Sequence, residues 1–167
     1  MNKNNLIITF FIVLGILTRL IPHPPNFTAL GAITIFAGAF IIDKRLSFFI
    51  PIMIMLISDL ILGYEIQVSV YISFIIMVRL GILLRNDKRP NKIIPIAIIG
   101  SIVFFIITNF TVFMTSNMYT KDIFGLLQCY TLAIPFFINT ILGNIFYTLF
   151  MFTTFKIVEN KFLLSSK

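Results

Sequence analysis

The sequence predicts an all-α membrane protein with six transmembrane helices and both termini cytoplasmic. Composition is the first observation. Of 167 residues, 59% are hydrophobic and 11% charged, with a mean hydropathy of +1.04. Soluble domains carry roughly 45–50% apolar residues and about a quarter charged. So few charges cannot cover a water-facing surface, which excludes a soluble globular domain, a disordered chain and a nucleic-acid-binding module, despite the net charge of +7. Length is the second: a spanning helix takes roughly 20 apolar residues, so six use about 120 and approach the ceiling. The third is the distribution of Lys and Arg. With a cytoplasmic N-terminus, Lys3, Lys44, Arg45, Arg85, Lys88, Arg89, Lys92, Lys156, Lys161 and Lys167 fall inside, while Lys121 and, at the margin, Arg19 fall outside. That bias sets orientation and turns the positive charge toward anionic headgroups.

Hydropathy and helix breakers give the elements in order, within a single membrane domain covering 1–167. The first span runs from about Leu6 to Ile21 and ends at Pro22-His23-Pro24-Pro25. Its start has the outline of a signal peptide but no small-residue cleavage site, so a retained span is expected. Thr28 to Ile42 forms the second, closed by Asp43-Lys44-Arg45. Leu46 to Gly63, containing Pro51, forms the third, and Val68 to Leu84 the fourth. A polar connection, Arg85 to Lys92, leads to the fifth, Ile93 to Met114. The last apolar stretch, Phe124 to Phe155, is 32 residues long and exceeds one helix. Pro135 divides it into a short surface half and a spanning half over 134–155. No Walker-type glycine loop appears and no cofactor is expected, so any energy source is an ion gradient or a partner chain.

Ionisable groups within spans cost roughly 2.5–3.5 kcal/mol on insertion scales. Arg79 lies about 8 Å from the cytoplasmic end of its span and can snorkel. Asp59 lies about 6 Å below the outer end of the third span, and a carboxylate on one methylene cannot reach water in that way. Arg19 stands at comparable depth in the first span, so the two are expected to pair, either as a clamp between helices or as part of a binding site. Asn109 and Asn139 lie in the same outer layer, with Thr140, Gly143, Asn144, Tyr147 and Thr148 following Asn139 at helical spacing. Polar side chains gathered on the side opposite the basic loops predict a water-accessible cavity open to the exterior. The stiff loop above the second helix contributes His23 and Asn26. His23 has no second His or Cys ligand near it, so no metal site is expected. Gly31 and Gly38, matched by Ala32 and Ala39, form a stripe that permits close backbone approach.

The stretch Arg19 to Ala32, the Ser58-Asp59 pair, Phe104-Phe105 with Thr108-Asn109-Phe110, and Gly125-Leu126-Leu127 through Pro135-Phe136-Phe137 to Asn139 resemble a family of small bacterial membrane proteins of unknown function. The resemblance covers nearly the whole chain, and the proline-histidine loop is its most specific part. That family more distantly resembles the S components of energy-coupling-factor transporters. The resemblance implies an S-component-like bundle of six helices in the plasma membrane, with a pocket near the outer face under the first loop. S components capture vitamins or related micronutrients and work with a transmembrane coupling subunit and two ATPases. The chain differs from them in lacking an alanine pair on the first helix and in having no Trp.

The expected function is capture of a small micronutrient-like solute, anionic or amide-bearing, by Arg19, His23, Asn26, Asp59, Asn109 and Asn139. A coupling subunit and ATPases are the expected partners, beside the lipid bilayer. The alternative is a structural or assembly protein in which the same polar layer only locks helices together. Enzyme activity is not expected, because neither paired carboxylates nor metal-ligand spacing supports it.

Overall fold

A computed structural model describes residues 3–164, with side chains described for most of 9–160. The described residues form seven helices and no strand: α1 (Lys3–Leu20), α2 (Leu30–Phe40), α3 (Lys44–Leu62), α4 (Val68–Ile82), α5 (Pro90–Thr115), α6 (Ile123–Leu132) and α7 (Ile134–Leu164). Among these residues three helices, α3, α5 and α7, are long and apolar enough to cross a membrane. Much of their apolar surface faces outward, including Phe49, Leu60, Ile106, Phe110, Leu142 and Phe146. A surface of this kind suits lipid rather than water.

Several boundaries follow from local chemistry. Asp43 caps α3 by accepting hydrogen bonds from the amides of Arg45 and Leu46. Gly63 closes the same helix at φ 69°, the left-handed conformation that glycine adopts without steric penalty. Pro90 opens α5, where its missing N–H costs nothing. The long apolar stretch near the C-terminus breaks at Ala133, two residues before Pro135, into short α6 and long α7.

Helix α2 is shorter than the expected second span. Eleven residues extend about 16 Å at 1.5 Å per residue, roughly half the hydrocarbon thickness. At its start, Phe27 and Thr28 are held in turns that donate to the carbonyls of Pro24 and Asn26. At its end, Ile41 adopts an extended backbone. Every residue from Leu30 to Ala39 is buried, as expected for a helix that is apolar on all sides. It forms the centre of the bundle, against α3, α4 and α7.

Contact between α2 and α4 is made by backbone. A Cβ added to Gly38 would lie 2.1 Å from the Val78 carbonyl oxygen, and one added to Gly81 would lie 2.2 Å from that of Ile35. The small-residue stripe therefore packs within the bundle. Beyond α2, Arg85 donates from Nε to the Gly38 carbonyl at 2.9 Å and from Nη2 to that of Ile41 at 2.8 Å. These bonds satisfy carbonyls left free at the helix end. Phe36, Phe40, Phe152 and Phe155 form an aromatic cluster at the same end. Arg79, in the last turn of α4, is exposed.

Candidate functional site

The opposite end of the bundle, where α1 and α3 finish, holds the ion pair. Arg19 Nη1 lies 2.7 Å from Asp59 Oδ1, with the two side chains 10% and 2% exposed. Oδ1 is held by charge rather than by an aligned hydrogen bond. Arg19 also donates to Ser58 Oγ at 2.8 Å and reaches the Met55 carbonyl. Tyr71, from α4, donates its hydroxyl to Asp59 Oδ2 at 3.3 Å. The guanidinium lies 5.9 Å from the centre of the Tyr64 ring. Arg19 thereby ties α1 to α3, and Asp59 ties α3 to α4.

Beside this pair opens a cavity of about 1230 Å³. Arg19, Asp59, Tyr64, Glu65 and Gln67 line one side. Leu30 and Gly31, in the first turn of α2, and Met77 lie among its deeper residues, all buried. Thr108 and Asn109 of α5 and Thr140 and Asn144 of α7 line the other side. Two aromatic pairs also border it: Phe74 with Phe104, ring centres 5.9 Å apart, and Phe105 with Phe137, 4.4 Å apart.

The loop between α1 and α2 contributes His23 and Asn26 to the lining. His23 Nδ1 is 2.8 Å from the Pro24 carbonyl oxygen. A carbonyl only accepts, so Nδ1 carries a proton and donates to it. Asn26 has φ 65°, the only positive φ of a non-glycine residue among those described. Asparagine tolerates that conformation, which lets the chain reverse after three prolines. Phe27 fixes the loop to α7 by packing on Phe146 and Tyr147, and its backbone lies against Gly143.

Five of the six sequence-selected residues, Arg19, His23, Asn26, Asp59 and Asn109, therefore line one cavity. Asn139 does not. On α7 the lining falls at Phe136, Phe137, Thr140 and Asn144, a stripe at three- and four-residue spacing, and Asn139 lies about 100° around the helix from Thr140. Tyr64, Glu65 and Gln67 were not selected because they lie in a connection, where hydropathy gives no signal. Among the described residues, no group of three or more His, Cys, Asp or Glu side chains could hold a metal ion.

Charge is balanced within the buried pair, while Glu65 adds a carboxylate among the lining residues. The arrangement provides a roomy hollow with aromatic sides and fixed polar groups, the usual form of a small-molecule site. No curated protein and no solved structure matches the chain. One family model does match, over residues 1–166, and the chain belongs to that family of unknown function, DUF6580.

Proposed function

We propose that the protein is a multi-pass plasma-membrane subunit that captures a small micronutrient-like solute. In this reading the chain crosses the membrane six times with both termini cytoplasmic. The short α2 passes through the protein interior, where length need not match the bilayer. The single observation that carries the proposal is the cavity of about 1230 Å³, formed by polar residues far apart in the sequence. It lies at the end of the bundle away from Lys44, Arg45, Arg85, Lys88, Arg89 and Lys92. The preference of Lys and Arg for the cytoplasmic side makes the cavity end exterior. The chain binds and does no chemistry, and movement of the solute requires a transmembrane coupling subunit with ATPases, as in the S components it resembles.

The test is cysteine accessibility in intact cells. A Thr108→Cys variant in a Cys129→Ala background should react with a membrane-impermeant thiol reagent from outside, and a rich metabolite extract should slow the reaction. Labelling only after the cells are opened would defeat the proposal, as would failure of the tagged protein to recruit any ATPase-bearing complex. A second reading, a structural or assembly protein, is favoured by one observation: Arg19 is engaged by Asp59, Ser58 and Met55. That reading predicts no protection by any metabolite.

A further inference from the structure

The hydrogen-bonding pattern of the cavity narrows its occupant, and this inference rests on the capture reading above. Thr108 donates its hydroxyl to the Phe104 carbonyl and Thr140 donates to that of Phe136, both at 2.8 Å. A hydroxyl has one proton, so toward a ligand both oxygens act as acceptors. Asn144 is 3% exposed, and its amide orientation is settled by its neighbour. Ser101 gives its proton to the Ala97 carbonyl, so it must accept from Asn144 Nδ2, at 2.8 Å. Asn144 Oδ1 is then an acceptor with no hydrogen-bond partner among the described residues. That oxygen is not among the fully enclosed unpaired polar atoms, so it borders the cavity that Asn144 lines, where a ligand donor can reach it.

A donor stands next to this acceptor. At the N-cap, the Ala29 N–H donates to Thr18 Oγ1 at 3.2 Å, but no N-cap side chain reaches the first turn of α2, whose N–H groups have no partner within the helix. Leu30 and Gly31, in that turn, line the cavity. A Cβ on Gly31 would fall 2.0 Å from Asn144 Oδ1, so the free oxygen abuts the start of α2. The only guanidinium in the lining is paired with Asp59, and Glu65 adds negative charge, which disfavours an anion. The two phenylalanine pairs offer flat apolar faces.

We propose that the cavity takes a planar, uncharged ring with an amide-type edge. The ring N–H donates to Asn144 Oδ1, and the adjacent carbonyl accepts from the first turn of α2. Quinazolin-4-one, its 3-methyl derivative and 1-naphthoate test this by titration of the full chain in lipid nanodiscs. The lactam should bind at least about tenfold more tightly than the methylated ring, whose methyl group takes the place of the donated N–H and shuts the Asn144 oxygen off from water without a partner, and more tightly than the anion. Asn144→Leu should remove that preference. Should it fail to fold, Asn144→Ala, which removes the same acceptor without adding bulk, should abolish the preference for the lactam over its methyl derivative. Equal binding of the methylated ring, or preference for naphthoate, would overturn the amide-edge inference and leave solute capture standing. Binding of none of the three also overturns it, while the cysteine-protection experiment separately decides the capture reading.

Discussion

Replacing Asp59 by Asn tests the ion pair most directly. The pair is 2.7 Å from nitrogen to oxygen and its side chains are 10% and 2% exposed. With charge centres about 4 Å apart and an effective dielectric constant of about 20, the attraction is about 4 kcal/mol. Breaking one half of a buried pair typically costs about 3–5 kcal/mol, because the partner charge is left uncompensated. The cavity beside Arg19 admits some hydration, so about 3 kcal/mol is expected for Asp59→Asn. Arg19→Met should cost a similar amount. The double variant Arg19→Met/Asp59→Asn should recover much of the loss, since neither charge remains. Unfolding of the four proteins in the same mixed micelles gives the coupling energy. A coupling below about 0.5 kcal/mol would refute the view that charge holds α1 against α3.

Other expectations follow from the packing. Gly81→Ala should destabilise the protein by about 1–3 kcal/mol, because a backbone carbonyl cannot yield as a flexible side chain does; denaturation of the purified variant measures it. Arg85→Ala removes two charge-assisted bonds to the end of α2, worth about 1.5–3 kcal/mol each at most, and should lower the thermal midpoint where Lys88→Ala does not. Asp122 caps α6 by accepting from Gly125 N, and this bond holds its carboxyl below the usual carboxylate value. Its contribution is therefore complete above the ordinary value and lost as pH falls through the lowered one. Acidification should shift the Gly125 amide resonance over that lower range, and Asp122→Ala should abolish the transition.

The encounter of Arg19 with Asp59 was legible because each stood at a similar depth in a span and neither could remain unpaired there. The division before α7 was legible because proline lacks the N–H that would continue a preceding helix and is accommodated in a helix's first turn. The length of α2 was not. Thr28, Ala29 and Ile41 are compatible with a helix, and only the turns at Pro24 and Asn26 and the extended Ile41 exclude them. Choosing Asn139 rather than Asn144 reflects a different limit: spacing identifies which residues share a face but not which way that face turns. The direction depends on how α7 meets α2 and α5, which no local pattern contains. Membership of a family of unknown function rests on the whole chain, whereas likeness to the S components remains part of the proposal.

The brevity of α2 bears on biogenesis. A segment that reaches only midway across the lipid cannot settle there as an independent unit, however greasy its side chains. Its lasting position depends on later parts of the polypeptide: α4 must supply the groove against Gly38, and Arg85 must arrive to occupy the carbonyls at its base. The ribosome will thus have delivered at least half the chain before this helix gains its permanent seat, and truncations ending ahead of Arg85 should be prime substrates for membrane quality-control proteases.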